Sequence, residues 1–246
     1  MKALRFLLSG VYLAYILFLS GLYVAAYPLI MFYLSRKKNY RIDDAIRCTN
    51  RLYGFFLVKC SWPLVRIRCT GAENLPRNGS AVIVANHRST SDMFFSPFFT
   101  TSNTTVFVRS WPFRIWGLGW FMRRAGYLDM EKSDINYFLA GAGAELFRRG
   151  VSFLFFPEGH RSRTGKLQLF RSGAFLTAVE YNIPVIPVCL TGTETFQSMK
   201  DHMFRPAVIV ITILPPVYPA AFPPEKRALK LKRHVEALIK EHLNEH

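Results

Sequence analysis

From Phe6 to Ser35 the chain carries no charged residue, while Lys2, Arg5 and the triplet Arg36-Lys37-Lys38 bracket the run. An uncharged apolar stretch beyond about 18 residues is long enough to enter a bilayer, and its apolar residues fall on every face rather than along one stripe. The run therefore predicts a helical segment, within residues 1–60, that attaches the chain to a membrane. Pro28 lacks an N–H donor and its ring disfavours a helix interior. Two geometries are open: a single span ending near Pro28, or a bent pair of helices dipping into one leaflet with both charged flanks on the same side. A cleaved signal peptide would have an apolar region of about 7–15 residues. This run is longer and continues past the weak small-residue site Val24-Ala25-Ala26, which disfavours cleavage.

Charge points the same way. The formal net charge is +16, half of the residues are hydrophobic and 15% are aromatic. A balance this basic suits nucleic acid, an anionic membrane surface or acidic substrates. The basic residues are dispersed among Phe, Trp and Leu, as in Arg109-Ser110-Trp111-Pro112-Phe113-Arg114. There is no uninterrupted basic arm, no zinc-finger spacing and no aromatic RNA-binding signature. Basic residues interleaved with aromatics fit anionic lipid, so membrane phospholipid is the expected partner and nucleic acid is not. Cys48, Cys60, Cys69 and Cys189 form no C-x-x-C pair and no Cys/His grouping with zinc spacing, so free thiols and no metal are expected.

From residue 61 to 246 the pattern changes to short β-branched runs alternating with helical stretches. Strands are expected at Leu64–Cys69, Ala81–Ala85, Thr105–Val108, Gly126–Asp129, Val151–Phe156, Val185–Leu190 and Val208–Leu214. Asn136–Arg148 reads as a helix, and Pro224–Glu245 as an amphipathic one that packs on the surface. This alternation predicts an α/β domain, a mostly parallel mixed sheet flanked by helices.

Two strand ends carry the polar groups on which chemistry could rest. Ala81–Ala85 runs into Asn86-His87-Arg88-Ser89-Thr90-Ser91-Asp92. Reactive groups in α/β folds gather at such exits. Asp92 can fold back onto one imidazole nitrogen of His87, fixing its tautomer and freeing the other to take a proton. Alone, that spacing is common in capped turns. The second exit, after Val151–Phe156, reads Pro157-Glu158-Gly159-His160-Arg161-Ser162-Arg163. It joins a carboxylate and two phosphate-binding guanidiniums to a glycine that permits close approach. Read alone, it could equally be a surface ion-pair loop. Together the two loops would make a pocket holding an anionic substrate beside a base. The aromatic stretch Trp111–Phe121 reads as packing, membrane contact or the lining of an acyl channel.

In order and spacing, Asn86-His87-x-x-x-x-Asp92, Phe156-Pro157-Glu158-Gly159-x-Arg161-Ser162-Arg163 and Ile183-Pro184-Val185-Ile186-Pro187-Val188 resemble the glycerolipid acyltransferases. The resemblance covers about Leu64 to Leu214. Several ordered blocks are far more specific than one. It implies that His87 is the general base on an acceptor hydroxyl and that Asp92 orients it. Glu158, Gly159, Arg161 and Arg163 would shape the acceptor site, with Arg161 on its phosphate, and the Ile183–Val188 block would support the core beside it. The acceptor would be a lysolipid, 1-acyl-sn-glycerol 3-phosphate, converted to phosphatidic acid in phospholipid biosynthesis. The donor would be an acyl thioester of coenzyme A or a carrier protein, attacked directly, with no further cofactor. No Gly-x-Ser-x-Gly elbow is present to supply a nucleophile. The catalytic domain would face the cytoplasm. The chain departs from the pattern at His160, where the family has Thr, and at Met130, where it has an Arg. Arg123, Arg124 or Lys132 would then substitute on the phosphate. The rival readings are the same chemistry on another lysolipid, or on a lipid-like alcohol or amine, and a non-catalytic lipid-binding protein of this fold. The last would not need the His87–Asp92 pair.

Overall fold

In the computed structural model the described residues are 2–37, 39–116, 118–129, 131, 134–161, 167–197 and 203–244. Met130, Lys132 and Arg163 lie outside them. All seven expected strands form: β1 (Val65–Thr70), β2 (Val82–Ala85), β3 (Thr104–Val108), β4 (Leu128–Asp129), β5 (Ser152–Phe155), β6 (Val185–Thr191) and β7 (Ala207–Ile213). They make one sheet in the order β1-β7-β6-β2-β5-β3-β4. Every pairing is parallel except β6 with β7. The mixed, mostly parallel α/β sheet read from the sequence is the one found.

Alternation along the strands builds two cores, because successive side chains point to opposite faces. Val82 and Val84 join Phe153, Phe155 and Val185 on one face, beneath α5 (Ile135–Ala140), α6 (Ala142–Arg148), α7 (Gly173–Glu180) and α9 (Arg227–Asn244). Ile83 and Ala85 join Leu154, Ile186 and Ile211 on the other, which carries Val58 of α2 (Ile42–Cys60), Phe95 of α3 (Asp92–Phe95) and Phe196 of α8 (Thr193–Phe196). Central strands covered on both faces read as continuous apolar runs, as Val82–Ala85 does. The expected helix 136–148 is instead two helices. The backbone breaks at Gly141, whose φ of −111° and ψ of −104° are not helical. The closing helix α9 packs as expected, burying Leu231, Val235 and Ile239 completely.

The N-terminal helix α1 runs unbroken from Lys2 to Lys37, so Pro28 neither ends it nor divides it into a pair. Pro28 and Val24, one turn before it, both lie on the exposed side, where the freed carbonyl is not sealed in the core. Helix α1 lies antiparallel along α2. Tyr12 shares a 2.7 Å hydrogen bond with Ser61, Ser20 one of 2.7 Å with Tyr53, and Tyr23 donates to the Thr49 carbonyl at 2.8 Å. Ser9 fastens its start to both backbone groups of Phe204. Helix α2 in turn lies against the segment after α3, where a Cβ on Gly54 would meet Pro97 Cγ at 2.4 Å.

A buried ion cluster fixes the start of α2. Arg47, only 2% exposed, bonds Asp44, Asn103 Oδ1 (2.7 Å) and the Ala125 carbonyl (2.9 Å). Arg149, at the end of α6, reaches Asp43 at 2.5 Å and Asp44 at 2.6 Å. Burial pushes the Asp43 carboxyl upward, but the Arg149 hydrogen bond and the two guanidinium charges outweigh it and hold Asp43 below its ordinary 3.8. A carboxyl lowered on folding adds stability above its unfolded pKa and loses it as pH falls through the folded value. Arg47→Met leaves two carboxylates sharing one guanidinium, and removing one partner from a buried cluster costs about 3–5 kcal/mol. Denaturant unfolding at neutral pH should show a loss of this size that shrinks below about pH 4, as Asp43 becomes protonated. An unchanged midpoint would contradict it.

Candidate active site

The site forms where three neighbouring parallel strands end together, β2, β5 and β3. At the end of β2, Asn86 is buried and replaces a strand partner with its side chain. Its amide donates to the Leu190 carbonyl at 3.0 Å and accepts from Leu190 N–H at 2.7 Å. That pins the exit of β2 to β6 and sets where residue 87 begins.

The next residues wrap around one carboxylate oxygen. Asp92 is fully buried, and its Oδ2 accepts from Arg88 N–H at 2.8 Å and Ser89 N–H at 2.9 Å. The same atom lies 2.7 Å from His87 Nδ1. An acceptor opposite Nδ1 favours the tautomer with its proton there and leaves Nε2 as the basic nitrogen. The His87 side chain is 20% exposed and lines a cavity of about 300 Å³, its ring 4.6 Å from that of Phe156. Further bonds hold the loop to α8. Ser89 donates to the Gln197 carbonyl at 3.0 Å, and Arg88 pairs with Glu194 at 3.2 Å. The sequence spacing thus brings His87 and Asp92 into the contact expected of them.

Glu158 takes a different place from the one a surface ion-pair loop would give it. It is 4% exposed and does not line the cavity. Its two oxygens accept His87 N–H at 2.7 Å and Gln168 N–H at 2.9 Å, so it ties the loop after β5 to the base of the histidine. Burial raises the Glu158 pKa. The two backbone donors and His87 oppose that shift, while the charge of Asp92 adds to it. Gly159 has a φ of +73°, a backbone conformation that side-chain-bearing residues rarely adopt, and a Cβ there would also crowd the Arg171 guanidinium, with Nε at 2.7 Å. Arg161 enters the cavity wall and donates to Thr90 Oγ1, bridging the two loops.

The remaining wall includes residues for which the sequence offered no role. Met93, Phe107, Val108 and Arg109 line it together with Trp111 and Pro112. The last two are the part of the Trp111–Phe121 stretch that faces the cavity, whereas Trp116 is 97% exposed. His160 also reaches it. The two described stand-ins for position 130 are engaged elsewhere. Arg123 donates to the Phe113 carbonyl at 3.2 Å, and Arg124 sits 5.6 Å over the Trp120 ring. Arg109 had a signal in the sequence: it follows a strand that ends beside β5. The order of the strands was needed to see it.

A family model described as acyltransferase matches residues 66–191. The chain is 29% identical over 193 residues to a 1-acyl-sn-glycerol-3-phosphate acyltransferase of Saccharomyces cerevisiae, covering 72% of this chain and 63% of that one. It is 32% identical over 178 residues to one of Chlamydomonas reinhardtii, covering 69% of this chain and 50% of that one. The chain thus spans less than two thirds of the length of these curated relatives. It also resembles the crystal structure of the 1-acyl-sn-glycerophosphate acyltransferase PlsC from Thermotoga maritima, with a TM-score of 0.78 and 25% identity. That likeness covers 100% of this chain and 97% of the other. The chain, with its His87–Asp92 and Glu158-Gly159-His160-Arg161 loops inside the matched region, belongs to the acyltransferase family.

Proposed function

We propose that the protein transfers a fatty acyl group from a thioester to the free hydroxyl of 1-acyl-sn-glycerol 3-phosphate, forming phosphatidic acid for phospholipid synthesis. The observation that carries this reading is the His87–Asp92 pair, closed on one side by a buried carboxylate and open on the other to a cavity walled by guanidiniums and apolar side chains. His87 Nε2 takes the proton of the acceptor hydroxyl as its oxygen attacks the thioester carbonyl. The tetrahedral intermediate collapses with loss of the thiol, which takes that proton back from His87. Asp92 stabilises the imidazolium between these steps, and Arg161 meets the acceptor phosphate. Glu158 shapes the site by holding the backbone of His87. The donor is an acyl thioester of coenzyme A or of a carrier protein, and a soluble donor favours a catalytic domain on the cytoplasmic side.

The membrane is met by α1, with its outer face in the plane of one leaflet. The helix is 36 residues long, about 54 Å at 1.5 Å per residue, against a hydrocarbon core of about 30 Å. It lies along α2, whose start carries the Arg47 cluster, so an upright span would carry that cluster towards the bilayer. Laid flat, it offers lipid Phe18, Val24, Leu29 and Phe32, all more than 60% exposed.

Two outcomes test these proposals. His87→Ala should lower transfer of labelled acyl groups to 1-acyl-sn-glycerol 3-phosphate by about 10²–10⁴-fold, the usual contribution of a general base. Asp92→Asn should fall into the same range with folding intact, and full activity in either variant would refute the mechanism. For the membrane, Arg5→Cys and Arg36→Cys variants are made with the four native cysteines replaced by serine. Both should react with an impermeant maleimide from the same side of sealed vesicles. Labelling from opposite sides would show a span instead.

A further inference from the structure

The cavity beside His87 is cationic on one side. Arg109, His160 and Arg161 stand in its wall, and no carboxylate is among the described residues that line it. The opposite lining is apolar, with Met93, Phe107 and Phe156. Such a division suits an acceptor with an anionic head and a hydrocarbon body. Arg161 enters from the β5 exit and leans on Thr90. Arg109 enters separately, from the β3 exit.

Arg109 is held from behind by the loop after β4. Its Nε donates to Glu131 Oε1 at 2.8 Å, and Ser110 N–H donates to Glu131 Oε2 at 3.3 Å. Asp129 Oδ1 accepts from Ser110 Oγ at 2.6 Å and from Glu131 N–H at 3.0 Å, which locks Glu131 in turn. Stability does not account for the arrangement. Arg109 and Glu131 are 52% and 44% exposed, and pairs that open to water contribute about 0–1 kcal/mol. Orientation does. A guanidinium gripped at Nε keeps its terminal N–H groups for a second anion, and a side chain already ordered loses less entropy on binding it.

We infer that Arg109 binds the acceptor's phosphate and sets a preference for phosphate-bearing over neutral acceptors, with Glu131 as its positioning residue. The inference rests on the acyltransfer reading above and adds to it a residue from the β3 exit. Two guanidiniums then approach the phosphate from different strand exits. That matches the several acceptor oxygens of a phosphomonoester better than one guanidinium could.

The test is steady-state kinetics with an acyl thioester donor, using 1-acyl-sn-glycerol 3-phosphate and the matching neutral monoacylglycerol as acceptors. Arg109→Gln should raise KM for the phosphate-bearing acceptor by about 10- to 100-fold, the loss expected for a charge-assisted hydrogen-bond pair. The donor KM should stay put, and the preference over the neutral acceptor should fall by a similar factor. Glu131→Gln, nearly isosteric, should give a smaller rise in the same KM. Arg109→Lys, which keeps the charge but not the fork, should fall between Arg109→Gln and wild type. An unchanged acceptor KM in Arg109→Gln, or equal rises in acceptor and donor KM, would overturn the inference and leave the acyltransfer reading standing. A wild type inactive on both acceptors would overturn both.

Discussion

The site depends on β5 lying between β2 and β3, parallel to both. Val84 is paired with Phe155 on one side of β5, and Leu154 with Val106 on the other. All three strands therefore end on one edge of the sheet. The His87 loop, the Glu158 loop and the Arg109 exit then become neighbours, although 71 residues of sequence separate His87 from Glu158. No local interaction could bring them together. The apolar runs that form these strands are buried on both faces, so burial and the parallel ladder fix the register, and a slip of one residue would turn every core side chain over.

Two carboxylates convert that neighbourhood into defined chemistry, each by accepting backbone N–H groups of the loops around it. Asp92 gathers the N–H groups of residues 88 and 89 and the His87 ring on one oxygen. Glu158 gathers the N–H groups of His87 and Gln168 on two. Residue 87 is thus fixed twice, through its ring and through its backbone. Charged acceptors hold N–H donors more strongly than neutral ones, and a buried carboxylate left without them would be costly, so each loop is stable only in the shape that orients the histidine. The raised pKa of Glu158 is the remaining cost of burying the second charge beside the first.

Much of this was legible in the sequence. All seven strands could be placed from apolar runs and flanking turns, and the His87–Asp92 contact from an ordinary turn spacing. Roles that depend on long-range pairing were not. Glu158 looks like a partner for Arg161 because the two are close in sequence, yet it is claimed by backbone N–H groups that only the folded loops present. Arg109 reads as one basic residue in an aromatic run until β3 is known to end beside β5. Helix 136–148 failed for a local reason, because Gly141 permits a break that side-chain periodicity does not report. Pro28 failed the other way, since contacts of Tyr23 and Met31 with Thr49 hold the helix along α2 on both sides of the one lost hydrogen bond.

Helix α1 joins the chemistry to the surface on which its substrates would be found. Its own polar side chains are spent on α2 and Phe204, through Ser9, Tyr12, Ser20 and Tyr23, and what remains facing outward is almost wholly apolar. A helix with this division is soluble only on its inner side. For a chain attached as proposed, the surplus of basic residues would add a second attraction to an anionic leaflet, one that acts over a Debye length of about 10 Å and weakens with salt, while apolar insertion does not. The two forces do different work. In the proposed attachment, charge would bring the protein to the surface, and insertion of α1 would fix its height and tilt, because the helix is bound to the domain along α2. Height and tilt would then decide whether the hydroxyl of the proposed lipid acceptor can reach His87 without leaving its leaflet. On that reading the hydrogen bonds between α1 and α2 belong to the working geometry of the site as much as the bond between His87 and Asp92.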